Sequence, residues 1–269
     1  MKITGKNKIT WYLTYECTYS CLICFRKNLK ELSLPFEKGK MLLSKLRLLG
    51  IEYITFSGGE PLLHPELIQY CEYAKYLGMT ISIETNAYLL TSSLIEKMIG
   101  VVDQLIIPVD SCSECIEELL FRGNGEHLTH CIEIADQVHE ANICLKVNTA
   151  INKLTYKENM RPIIWAIDPD IWAISQLSRK NGDNQKTITD LEISDDDFTY
   201  FVERHKLLRL KNDAAPIFKY ADDVETDFSF VSPAGNVSIL QNGKMFKYNL
   251  DVFLRVCEDV LSPIKIEGL

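Results

Sequence analysis

A short run of β-branched and aromatic residues followed by a segment of helical period recurs six times along the first two thirds of the chain. The runs lie at Ile9 to Tyr15, Tyr53 to Phe56, Thr80 to Glu84, Gln104 to Val109, Ile143 to Asn148 and Ile171 to Ser175. The helical segments lie at Phe36 to Leu49, Pro65 to Leu77, Ser92 to Ile99, Glu114 to Leu120, Glu126 to Ala141 and Tyr156 to Ala166. Strands that alternate with helices run parallel, because each helix carries the chain back along the sheet, and such crossovers are right-handed. The expected fold class is α/β, a six-stranded partial (β/α)6 barrel related to the closed eight-stranded form. Gly50 and Gly78 stand where C-caps belong, and Pro35 and Pro65 at helix starts.

This barrel is expected over residues 1–180, with a C-terminal extension over 181–269 that covers its open face. The extension reads as a polar loop from Ser178 to Asp197 and a helix from Asp195 to Lys211 with Ser194 as N-cap. Next come an irregular stretch from Asp213 to Asp227, a hairpin of Phe228 to Val231 with Val237 to Leu240, and a short apolar helix from Val252 to Leu261. The 269 residues are 46% hydrophobic, enough for a sizeable core. A net charge of -8 argues against nonspecific binding to a nucleic-acid backbone and favours a small ligand. Met1 to Lys8 is too polar for a signal peptide, and no apolar run reaches the roughly eighteen residues of a membrane span, so a soluble, cytoplasmic protein is expected.

In parallel barrels the chemistry collects at the C-terminal ends of the strands. Here those ends carry Cys17, Cys21 and Cys24, then Ser57 to Glu60, Glu84-Thr85-Asn86, Asp110-Ser111, Lys146 with Asn148, and Ser175-Gln176. Polar or metal-binding groups at every position on one rim describe a binding site. Three thiolates spaced C-x3-C-x2-C can take three irons of a 4Fe-4S cluster and leave the fourth for an outside ligand. Of the other cysteines, Cys112 and Cys115 lack further ligands nearby and read as incidental, while Cys71, Cys131, Cys144 and Cys257 read as core. Lys146 and Asn148 share one face of a strand, and on an inward face both would be costly unless they met a ligand; a phosphorylated or carboxylated substrate would satisfy the lysine.

The cysteine motif followed by Ser57-Gly58-Gly59-Glu60-Pro61 resembles the radical S-adenosylmethionine (radical SAM) superfamily, in which SAM chelates the open iron of the cluster. The resemblance implies a 5'-deoxyadenosyl radical that abstracts hydrogen from an unactivated carbon. Gly58 and Gly59 would let a backbone edge approach the SAM amino group, and Glu60 would fix the turn or accept a hydrogen bond. Asn86 is a candidate for the ribose of SAM and Arg122 for its carboxylate, with a solvated surface Arg122 as the competing view. Ser57 and Ser111 complete the expected cofactor set.

Further ordered matches narrow the resemblance to the viperin-like group: Phe25, Asp110-Ser111, Arg122-Gly123-Asn124-Gly125, Lys146-Val147-Asn148, Trp172 with Gln176, Gly182-Asp183-Asn184, Phe201 to His205 and Leu250-Asp251-Val252. Membership would imply removal of the ribose 4' hydrogen of a ribonucleoside triphosphate and loss of the 3' hydroxyl as water, in antiviral defence. It would also imply nucleotide contacts from Ser57, Lys146, Asn148 and Lys244, a flavodoxin- or ferredoxin-type electron donor, a monomer, and no nucleic acid or membrane partner. The chain departs from that pattern, which leaves open a radical SAM enzyme on a less phosphorylated nucleotide, a nucleoside or a peptide, or a cluster-bearing binding or redox-sensing protein without turnover. Ile171 and Ala173 stand where basic residues flank the tryptophan and Tyr53 where a lysine is usual, leaving Arg26, Arg179, Lys180 or Lys247 to compensate. Phe228 replaces a tyrosine regarded as a proton donor, and a phenyl ring cannot donate.

Overall fold

The computed structural model describes residues 7–24, 26, 29–177, 188–223, 228–241 and 244–255. Six parallel strands form its centre: β1 (Lys8–Tyr12), β2 (Tyr53–Ser57), β3 (Thr80–Glu84), β4 (Gln104–Pro108), β5 (Cys144–Ile151) and β6 (Ile171–Gln176). The helices between and after them are α1 (Phe36–Leu48), α2 (Leu67–Tyr76), α3 (Ser92–Met98), the pair α4 (Glu114–Leu119) and α5 (His127–Glu140), and α6 (Arg161–Ile167). Further on lie α7 (Asp195–His205), β7 (Ile217–Lys219), β8 (Phe230–Val231), β9 (Val237–Gln241), β10 (Lys244–Tyr248) and α8 (Leu250–Arg255).

All ten strands share one open sheet, ordered β10-β9-β8-β1-β2-β3-β4-β5-β6-β7. The α/β partial barrel expected from the alternation is therefore present, and the extension lengthens its sheet at both edges. β7 pairs in parallel with β6 at one edge, while the antiparallel hairpin β8-β9 reaches β1 at the other. Strand side chains alternate between a helix-facing and an inward face. Along β5 the even-numbered residues are half-buried and the odd-numbered ones buried, which puts Leu145 and Val147 in the helix-packed core and Lys146 and Asn148 inside the barrel.

Two helices depart from their sequence patterns. α6 begins at Arg161 rather than Tyr156, because Asn152 starts a turn whose side chain accepts from the Leu154 N–H, and because Pro162 is tolerated only in a first helical turn. α7 stops at His205 rather than Lys211. Beyond it Leu208 and Leu210 are buried while Leu207 is exposed, an alternation suited to extended chain. Its Ser194 cap is present as a reciprocal capping box with Asp197. Of the apolar tail helix, Leu250 to Arg255 is described and residues 256–261 lie outside the described residues.

Candidate radical site at the strand ends

Sheet register lines up Tyr12, Ser57, Glu84, Ile106, Lys146 and Ile171 side by side, from β1 to β6. Above this row the strand ends surround a cavity of about 470 Å³. Cys17, Cys21, Cys24, Ser57, Gly58, Gly59, Asn86, Arg122, Lys146 and Asn148 all line it, so most of the candidates scattered through the chain meet in one place. Glu60 and Ser111 do not reach its wall. The side chain of Lys244, at the start of β10, lies outside the described residues, as do Arg179, Lys180 and the Gly182-Asp183-Asn184 segment.

The cysteine loop is held by backbone contacts that require the two glycines. Gly59 donates to the Thr14 carbonyl (2.7 Å) and Glu60 to the Glu16 carbonyl (2.7 Å). A Cβ on Gly58 would lie 2.3 Å from the Thr14 oxygen, and one on Gly59 would lie 2.1 Å from the Glu16 oxygen. These glycines thus admit the segment that runs from the end of β1 into the cysteines, a nearer demand than the approach of a ligand. Glu60 ties the same region to β3. It is fully buried, with Oε1 accepting from Leu62 N (3.0 Å) and Thr85 Oγ1 (2.7 Å), and Oε2 accepting from Asn86 N (2.8 Å). Both oxygens are occupied within the protein, so Glu60 positions the loops; burial pushes its carboxyl up against the pull of those donors. Asn86 in turn donates from Nδ2 to Thr18 Oγ1 (2.8 Å) and contacts Cys17 Sγ (3.6 Å).

Burial raises the Cys17 thiol, and raises that of Cys21 to about 11, so binding positive metal is what would bring them to the thiolate form. Among the described residues no three His, Cys, Asp or Glu side chains are spaced to hold a single metal ion. The three thiols nevertheless face one cavity, an all-sulfur donor set suited to an iron-sulfur cluster, where each thiolate takes its own iron. The residues fit a 4Fe-4S group on that chemistry.

Arg122 is no surface residue. It is 7% exposed and its guanidinium pairs with Asp110 through Nη2, while Nε stands 3.1 Å from Oε2 of Glu117. Glu117 Oε1 accepts from Asp110 N (2.7 Å) and Ser111 N (2.8 Å), and Asp110 Oδ1 accepts from Ala150 N (2.7 Å). The network fastens the end of β4 to α4 and β5, with Arg122 presenting an edge to the cavity beside Cys21. Ser111 donates to both Glu158 oxygens (2.8 and 2.9 Å), which places it behind the wall. Close by, His127 Nε2 meets the Pro108 carbonyl at 2.8 Å, and burial with the nearby Arg122 charge lowers its pKa to about 4.

The cavity wall holds further residues beyond those ten. Glu84 takes a hydrogen bond from Ser57 Oγ (2.8 Å) and faces inward. Lys219 reaches the wall from β7, a three-residue strand in a stretch that reads as irregular. Arg26 also lines the cavity, donating to Tyr12 Oη (2.5 Å) and stacking over its ring. Lys247 is exposed on β10. Cys112 and Cys115 are exposed near the start of α4, off the wall. Phe228 packs on Phe230, which packs on Tyr12.

Comparison with known proteins places this geometry. The chain is 28% identical to an S-adenosylmethionine-dependent nucleotide dehydratase of Lacinutrix mariniflava, over 91% of this chain and 56% of that protein. It is 29% identical to a protein of the same name from a Thermoplasmatales archaeon, over 82% and 78% of the two chains. Against the S-adenosylmethionine-dependent nucleotide dehydratase RSAD2 of Danio rerio the identity is 31%, over 77% and 61%. The chain thus spans little more than half the length of the first of these relatives. In fold it is similar to Streptococcus suis SuiB bound to S-adenosylmethionine (TM-score 0.70, 14% identity, 97% of this chain and 68% of that one) and to anSMEcpe with bound AdoMet (0.67, 13%, 96% and 81%). The model of the radical SAM superfamily matches residues 11–158, more than half of the chain and the part that carries the cysteine loop and the cavity, and the chain belongs to that superfamily.

Proposed function

We propose that the protein is a radical SAM enzyme that dehydrates a nucleotide, as the names of its relatives say of them, and that the nucleotide is a ribonucleotide. One observation carries the reading: the three cysteines and the Ser57, Lys146 and Asn148 face open into the same cavity. A 4Fe-4S cluster on Cys17, Cys21 and Cys24, with SAM beside it, supplies a 5'-deoxyadenosyl radical when bound. The chain's own residues do the rest. Asn86 and the Gly58-Gly59 edge bound the SAM side of the cavity, and Arg122, already balanced by Asp110 and Glu117, offers its remaining edge to the SAM carboxylate.

On the substrate side, Lys146, Asn148 and Lys219 form the anion-binding wall for the nucleotide phosphates, the triphosphate being the form that the viperin-like resemblance implies. Ala173 leaves the adjoining stretch of β6 apolar, and Lys219, one strand over, supplies a cation there. Removal of the 4' hydrogen is followed by loss of the 3' hydroxyl as water, which needs a proton at that oxygen. Lys146, on the inward face of β5, is the donor in that wall suited to give it. The product radical then takes one electron. A flavodoxin- or ferredoxin-type donor, a monomeric state, a cytoplasmic location and a part in antiviral defence complete the proposal; no helix among the described residues is long and apolar enough to cross a membrane.

The test is anaerobic turnover of the reconstituted protein with SAM, dithionite and nucleotides deuterated at C4'. Deuterium entering 5'-deoxyadenosine, with a product lighter by one water, is the expected result. Unlabelled 5'-deoxyadenosine with every nucleotide would overturn the substrate assignment.

A further inference from the structure

Glu84 is a carboxylate inside a cavity that, on the reading above, receives a polyanion. It sits on the inward face of β3 in the same row as Lys146, with Ile106 of β4 between them. Adjacent strands lie about 4.8 Å apart, so the two backbones are roughly 10 Å apart. Among the described residues no ion pair joins their side chains, although each lies in the other's field. One Glu84 oxygen accepts from Ser57. The other has no hydrogen bond among the described residues, and a carboxylate accepts but cannot donate. It is therefore an open acceptor on one side of the cavity, where the Arg26 guanidinium donates to Tyr12 Oη and the Gly58 carbonyl, while Lys146, Asn148 and Lys219 are donors on the other.

We propose that Glu84 is a specificity-determining residue that accepts a hydrogen bond from a donor on the nucleotide and thereby fixes its direction across the barrel. The phosphates lie against β5 and β7, and the donor-bearing edge lies against β2 and β3. The reverse placement would bring phosphate oxygens onto a carboxylate that has no proton to share. Three groups on a ribonucleotide supply such a donor: a sugar hydroxyl, an exocyclic base amine and a base ring N–H, the last two exchanged for one another when the amine is replaced by oxygen. This assignment rests on the nucleotide reading above.

The experiment measures equilibrium binding to the cluster-loaded protein with SAM and without reductant, so that no turnover intervenes. Ribonucleotides are compared with their 2'-deoxy and 3'-deoxy analogues and with partners whose base amine is replaced by oxygen, on the wild type, Glu84→Gln and Glu84→Val. The wild type should prefer one donor-bearing partner by about 10- to 100-fold, the range for a hydrogen bond to a charged group. The analogue series that shows the preference names the sugar or the base as its source. In Glu84→Val the preference should collapse to within about threefold while Glu84→Gln, which keeps the shape and an acceptor oxygen, retains part of it. An unchanged preference in both variants would overturn the proposal and leave Glu84 as a support for Ser57. Wild-type protein that binds SAM and no nucleotide at all would instead overturn the nucleotide reading, and this assignment with it. The visible spectrum of the bound cluster reports whether each variant is folded.

Discussion

At Glu60 a single buried carboxylate accepts from Leu62, Thr85 and Asn86, and through Asn86 it steadies the loop that carries Cys17. Replacing it by alanine strands those donors in a dry environment, and the expected loss is about 3 kcal/mol of stability together with poor cluster retention. Urea unfolding and iron content after reconstitution check both. Gly59→Ala acts on the same contact from the other side, since the added methyl meets the Glu16 carbonyl at 2.1 Å; iron content should fall while the far-UV spectrum is kept. His127 gives a pH signature. Its pKa is depressed from the ordinary 6.5 to about 4, so the neutral ring is the folded form. The contribution is fully present above about pH 6.5 and is lost as pH falls through about 4, a swing of about 3 kcal/mol at 1.36 kcal/mol per unit. Stability curves at several pH values should therefore be flatter over that window for His127→Phe than for the wild type.

Among the elements, legibility followed the length and strictness of the pattern. Thr80–Glu84 alternates without exception, and strand and expectation coincide to the residue. β7 is three residues long, too short for any period to register, and with it Lys219 was hidden from sequence reasoning. Glu84 was visible as a strand-end residue, but its isolation from Lys146 depends on which strand stands between, a tertiary fact. The role of Glu60 likewise needed partners 25 and 26 residues away. The cysteines and the Gly-Gly pair were legible because their chemistry depends on local spacing. Local rules also give α7 its start: Ser194→Ala removes one arm of its capping box and should cost about 1 kcal/mol, read from thermal unfolding. At the end of α4, Phe121 holds φ 56° to turn Arg122 inward, a conformation costly for a bulky residue.

For the molecule as a whole, the open sheet decides where charge can be added. A closed barrel would leave no edge for β7, whereas here Lys219 enters from outside the six-strand repeat, at the edge next to β6. Lys219→Ala should weaken nucleotide binding by about tenfold and flatten its dependence on salt, with SAM binding unchanged, as titrations at two ionic strengths would reveal.

The cysteine loop also has an outer side. Cys17, Cys21 and Cys24 line a second cavity of about 870 Å³, together with Leu29, Lys30 and Leu32, while their other faces look into the barrel. The loop is thus a partition with the barrel chamber behind it and a porch in front. On the function proposed above, electrons delivered at the porch would not cross the chamber that holds the nucleotide. Molecular oxygen would use the same porch, so on that proposal a donor seated there would also shelter the cluster.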